Sequence, residues 1–158
     1  MIRPATPDDA AAIHAVHLAA FGREYEARIP AEVDPVISLV AEEDGEVVGH
    51  VLVSWFGLED SERGVLGLGP IGVLPADQGR GIGSALVRAA LDCARGLGEP
   101  VVVLEGSPAY YARFGFVRAD ELGILPPPSA PDGAFQAAVV DEDAELPQGR
   151  VVYPPAFR

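Results

Sequence analysis

The feature that most constrains this chain is "DQGRGIGSAL", residues 77–86, where Gly79, Gly81 and Gly83 fall within five residues and lead into an apolar helical pattern. So many glycines cost chain entropy. A loop that turns backbone N–H groups toward an anion at a helix start offsets that cost. A nucleotide-binding loop of the G-x-x-x-x-G-K-[ST] type is excluded, because the sequence has no lysine. A dinucleotide fingerprint, G-x-G-x-x-G, also fails: Gly79 and Gly81 are followed by Ser84, and Gly81 and Gly83 by Leu86. Glu105 stands roughly 20 residues on, where a ribose-binding acid would fall, but the rest of the chain is too rich in proline for further strand–helix repeats. What remains is a grip on pyrophosphate by the main chain alone, with the positive end of the following helix adding attraction.

The elements around this loop read in order. "MIRPAT" begins as a strand, and Thr6 stands at an N-cap position before a helix over "DDAAAIHAVHLAAFG" that stops near Gly22. "REYEARIPAEV" predicts a short second helix ending before Pro30. "VISLVAEEDGEVVGHVLVSWFGL" reads as a hairpin with Asp44-Gly45 at its tip, and "RGVLGLGPIGVLP" as a third strand. After the loop, Ile82, Leu86, Ala89, Cys93 and Leu97 form a helical stripe. "PVVVLEG" is a buried strand, "SPAYYARFGF" a helix of about two turns with Pro at N1, and "AFQAAVV" and "GRVVYPPAF" are closing strands. An antiparallel run passing into one strand–helix–strand crossover implies an α+β fold, a mixed and mostly antiparallel sheet with helices packed on it. No repeat or linker breaks the chain, so a single domain over residues 1–158 is expected.

Net charge is −13, and all eleven basic residues are arginine, which argues against nucleic acid or an anionic membrane surface as partner. Cys93 is the only cysteine, so there is no internal disulfide and no cysteine-built zinc site. The chain start lacks the apolar stretch of a signal peptide, and no run approaches membrane-spanning length, so a cytoplasmic protein is expected. His14 and His17 share helical spacing but find no third ligand, so no metal is expected. His50, mid-strand with Leu52 and Ser54 on its face, reads as a hydrogen-bonded core histidine.

"IGVLPADQGRGIGSALVRAAL" resembles the Q/R-x-x-G-x-G/A segment of the GNAT superfamily of acetyl-CoA-dependent N-acetyltransferases, with Gln78, Gly81 and Gly83 at the marked positions. "SPAYYARFGF" is similar to that family's Y-x-x-x-G-F helix, and the chain as a whole looks most like its bacterial YhbS-type branch. The resemblance implies acetyl-CoA as cosubstrate and a primary amine, on a small molecule or a peptide, as acceptor. It implies that the main chain of Ile71, Gly72 and Val73 meets the pantetheine arm and polarises the thioester carbonyl. The N–H groups of Gln78, Gly79, Arg80, Gly81, Ile82, Gly83 and Ser84 then take the pyrophosphate. Tyr111 falls at the position of the general acid that protonates the leaving thiolate. Glu105, where the family commonly has an apolar residue, is a candidate base or a cation anchor, and equally a solvated strand end. Glu24 and Glu26 are candidates to line the acceptor site. Ser107 departs from the Asn, Asp or His of related enzymes and reads as an N-cap. Cys93, on the helical stripe, reads as inert packing, which favours direct transfer over an acetyl-cysteine. A homodimer stays open, as does a catalytically silent acyl-CoA sensor of the same fold.

Overall fold

The computed structural model describes residues 1–158. Asp44 and Gly45 both take positive φ, 52° and 80°, the geometry of a two-residue hairpin turn that matches strand twist. They join β2 (Ile37–Glu43) to β3 (Glu46–Leu58) in antiparallel register, with Val40 opposite His50 and Ser38 opposite Leu52. β1 (Ile2–Pro4) adds to the outer edge of β2. β4 (Ser61–Val73) follows β3. β5 (Val101–Glu105) lies parallel to β4, Leu66 opposite Val102, and antiparallel to β8 (Phe135–Val139). Two-residue strands β6 (Val117–Arg118) and β7 (Ile124–Leu125) pair with β8 and β9 (Gly149–Val152) respectively. The result is a mixed sheet of nine mostly antiparallel strands with the path β1-β2-β3-β4-β5-β8-β6. Four helices accompany it: α1 (Ala10–Phe21), α2 (Glu24–Glu32), α3 (Ile82–Gly96) and the single turn α4 (Pro108–Tyr111). The α+β expectation holds.

The chain divides into two compact units, one of residues 1–54 and 68–90, the other of 55–67 and 91–158. In the first, Val40, Val51, Leu52, Leu86 and Val87 are fully buried, each contributing about 1.5–3 kcal/mol over an exposed position. Arg3 forks onto Asp9 and also reaches Glu42, fixing β1 to the start of α1. In the second unit Phe56, Val65, Val101, Val103, Phe135, Ala137 and Val151 form the core, with Tyr153 and Phe157 packed on it. Arg118 there pairs with Asp120 and Asp132.

Two sequence expectations are corrected. α2 runs through Pro30 instead of stopping before it. Proline removes one N–H, but the helix ends only two residues later, so a single hydrogen bond is lost. The buried stripe of α3 is Leu86, Val87, Ala90, Leu91 and Ala94, and Cys93 is exposed, so Cys93 is not core packing. The "SPAYYARFGF" segment is one α-turn continued by a 3-10 turn over Ala112–Phe114, stopped by Gly115 at φ 90°. Ser107 caps it by position, its C=O accepting from Tyr111 N–H at 3.1 Å, without a side-chain cap bond.

Candidate active site

In the first unit β4 ends at Val73 and the chain makes a 3-10 turn over Pro75–Asp77. The Gln78 side chain donates to Val73 C=O at 3.0 Å, and its own N–H turns to Pro75 C=O at 3.4 Å. Gln78 therefore braces the loop onto the strand end. Gly79 and Gly81 both stand in the left-handed region, φ 80° and 84°, where a side chain is strained. Nothing lies within 4 Å of the space their missing side chains would occupy, so the loop is open on that face. The first hydrogen bond of α3 runs from Ala85 N–H to Gly81 C=O at 3.0 Å, so the N–H groups of Ile82 and Gly83 point out of the helix start. Arg80 is turned aside by ion pairs to Asp77 (2.9 Å) and Glu43 (2.8 Å), which hold the loop against the end of β2. These donors and this open face suit a pyrophosphate.

On β4 itself, Gly72 is buried and Ile71 and Val73 flank it on the opposite side of the strand. A Cβ at Gly72 would sit 2.9 Å from Nδ1 of His17 on α1. His17 and His50 are both fully buried. Nε2 of His17 lies 2.8 Å from Nδ1 of His50, and Nε2 of His50 lies 2.8 Å from Oγ of Ser38. Burial pushes both imidazoles down, His17 to about 4 and His50 to about 3, with mutual repulsion adding at His50. The core histidine expected at position 50 is thus the middle of a chain that spacing alone did not suggest.

In the second unit Tyr111 is edge-on to Tyr110 (4.9 Å) and Phe116 (5.7 Å), with Phe114 tilted at 6.1 Å. Its ring also lies over Gly106, where a Cβ would come within 2.6 Å of it. Burial raises its phenol to about 12, so Tyr111 keeps its proton across any working pH. Glu105 is exposed at the end of β5 and accepts a hydrogen bond from Tyr153 O–H at 2.9 Å. Tyr153, 48 residues away in sequence, was not foreseen. Of the acidic residues after α1, Glu26 is buried and clasped by the Arg23 guanidinium, while Glu24 lies 2.9 Å from Nε2 of His14. Glu26 is thus committed to Arg23, whereas Glu24 stays largely exposed beside His14.

Residues 8–116 match the model of the acetyltransferase (GNAT) family. The chain belongs to that family. It is 30% identical over 149 residues to the N-acetyltransferase YhbS of Escherichia coli K12, covering 91% of this chain and 89% of that one. It is 35% identical over 117 residues to the N-acetyltransferase YjhQ of the same organism, a match spanning 68% of this chain and 64% of that protein. Among solved structures, E. coli YhbS in complex with CoA superposes with a TM-score of 0.91 at 30% identity, over 99% of this chain and 91% of that one. A GNAT acetyltransferase of Brucella melitensis in complex with acetyl-CoA gives 0.82 at 39% identity, over 100% and 97%. The GNAT resemblance and its YhbS-type affinity are thereby established, and with them the acetyltransferase fold. No helix is long and apolar enough to cross a membrane.

Proposed function

We propose that this protein transfers the acetyl group of acetyl-CoA directly to a primary amine of a small molecule or peptide. The observation that carries the reading is the open, left-handed Gly79–Gly81 turn leading into the start of α3, a set of main-chain donors that needs no lysine. Homologues bound to CoA and acetyl-CoA support the same cosubstrate. Gly79, Arg80, Gly81, Ile82, Gly83 and Ser84 supply the pyrophosphate donors, and Gln78 shapes the loop. The main chain of Ile71, Gly72 and Val73 orients the pantetheine arm and polarises the carbonyl. Acetyl-CoA brings an activated acyl carbon and a thiolate leaving group. Tyr111 donates its O–H to that sulfur as negative charge develops there, and burial keeps the phenol protonated so that the donor is present at working pH. Glu105, oriented by Tyr153, serves as an anchor for a cationic acceptor at the rim.

We take the whole chain, residues 1–158, as one acetyltransferase domain, since β3 and β4 each run through both units. A cytoplasmic site of action fits a reaction fed by acetyl-CoA. The test is release of free thiol from acetyl-CoA against a panel of a polyamine, an aminosugar and a peptide N-terminus, beside thermal stabilisation by CoA. Stabilisation with thiol release in at least one case is expected. Stabilisation without release across the panel would favour the silent acyl-CoA sensor, and no stabilisation would overturn the cofactor assignment.

A further inference from the structure

Gln136 is fully buried on β8, a strand whose other residues are all apolar, and it lies opposite Leu104 of β5. A buried amide is costly unless it is hydrogen-bonded, so its bonds show what it does there. Its Nε2 donates to Gly106 C=O at 3.0 Å, with Ala134 C=O beside it at 3.4 Å. Only the nitrogen of the amide can face two carbonyl oxygens, which settles how the side chain is turned. The N–H of Gly106 donates in turn to Ala134 C=O at 2.9 Å. Gly106 is therefore pinned on both sides, one residue past the last β5–β8 pair, Glu105 with Phe135.

The Tyr111 turn rests on that residue twice. The Gly106–Ser107 peptide leads into the turn, whose first bond runs from Tyr111 N–H to Ser107 C=O at 3.1 Å. The ring also sits against Gly106, where a Cβ would come 2.6 Å from Cε2 and 3.1 Å from Cδ2 of Tyr111. Gly106 does not take positive φ, so the backbone there does not demand glycine; the ring does. Of the aromatic neighbours, Tyr110 and Phe114 belong to the same turn, which leaves Gly106 and buried Phe116 as the fixed surfaces. No hydrogen bond within the protein holds the Tyr111 hydroxyl, so its aim is set by where the ring sits.

We propose that Gln136 is a positioning residue for acetyl transfer: it fixes the Gly106 peptide on which the Tyr111 ring is seated, and so aims the phenol O–H at the leaving sulfur. This rests on the reading of Tyr111 as the general acid. Gln136 itself touches neither the cosubstrate nor a reacting atom. A hydrogen bond to the sulfur depends steeply on distance and angle, so a ring that drifts from its seat donates less well in the transition state. The Gln78–Ser84 loop keeps its own donors whatever happens at Gly106. Loss of the Gln136 amide is therefore expected to appear in kcat and not in the KM for acetyl-CoA. The buried amide and the glycine are two separate features of the sequence, and both converge on the same ring.

Two measurements test this, and the first needs no turnover. In the NMR spectrum of the free protein, the Tyr111 ring current should displace the Gly106 Hα resonances, and Tyr111→Leu should abolish that displacement. Gln136→Met, which keeps the side chain's length and removes its donor, should lose most of it, whereas Tyr111→Phe keeps it. In thiol-release assays with the panel amine that turns over fastest, Gln136→Met is expected to lower kcat about tenfold with an unchanged KM for acetyl-CoA. In a Tyr111→Phe background the same substitution should change kcat little, since no O–H remains to be aimed; a role in stability alone would lower both backgrounds alike. A native Gly106 displacement in Gln136→Met, a native kcat, or an equal loss in both backgrounds would overturn the proposal. If Gln136→Met does not fold, Gly106→Ala decides, because a Cβ there pushes the ring from its seat and a native kcat would show that the seat is immaterial. Absence of turnover with every amine would count against the acetyltransferase reading, while the Gly106 resonances still decide whether Gln136 seats the ring.

Discussion

The Gln78–Ser84 loop and the Tyr110–Phe116 turn hold their polar groups in opposite ways. The loop keeps its donors wet and lets the backbone work: two glycines at positive φ leave one face clear, and the only side chains of note brace it from behind. The turn does the reverse, walling one phenol among three aromatic rings and the bare backbone of Gly106 until its proton is hard to remove. Binding of a charged group tolerates solvent when many fixed dipoles share it. A phenol that must keep its proton gains from burial, which disfavours the phenolate.

That contrast breaks most sharply at Tyr111. Tyr111→Phe keeps the aromatic packing and removes only the O–H, so kcat should fall about 100-fold with the KM for acetyl-CoA unchanged in steady-state assays. A comparable rise in KM would make the turn part of binding instead. Next in size is Gly81→Val, which forces a β-branched residue to φ 84°. The strain is about 2 kcal/mol, so calorimetry should find CoA bound about 30-fold more weakly, with the circular dichroism of the fold retained.

A third test concerns acid. His17 and His50 are depressed in the folded protein from an ordinary 6.5, so as pH falls the unfolded chain takes up protons first. Stability is complete above about 6.5 and is lost as pH drops toward 4, and the melting temperature should fall by several degrees between pH 7 and pH 5. A Tyr111→Phe protein should show the same fall, since its phenol titrates far above this window. The smallest effect is expected from Arg80→Ala. Its pairs with Asp77 and Glu43 are solvent-exposed, so CoA affinity should drop about two- to threefold, and less at high salt.

What was legible in the sequence follows from how local each signal is. The glycine loop, the Asp44-Gly45 hairpin and the Tyr111 turn are each written within about ten consecutive residues, and each folds as its own pattern requires. The hydrogen-bonded chain of His17, His50 and Ser38 is not, because α1, β2 and β3 each contribute one residue and only pairing in register brings Ser38 and His50 together across the β2–β3 ladder. Tyr153 reaches Glu105 by the same kind of long return. Strands β6 and β7, two residues each, are too short to carry a period. On α3 the stripe read from Ile82, Leu86, Ala89, Cys93 and Leu97 is offset from the buried one. The burial of Val87, Ala90 and Ala94 leaves Cys93 outside.

The arginine ion pairs have a bearing on self-modification. Arg3, Arg23, Arg80 and Arg118 are held by carboxylates that raise their already high affinity for protons. The chain carries no lysine beside them. A catalyst that makes amides from amines therefore presents no side-chain amine of its own, and its cations are guanidinium groups that stay protonated and non-nucleophilic. Acetyl groups appearing on lysine side chains in its presence therefore belong to the acceptor and not to this chain.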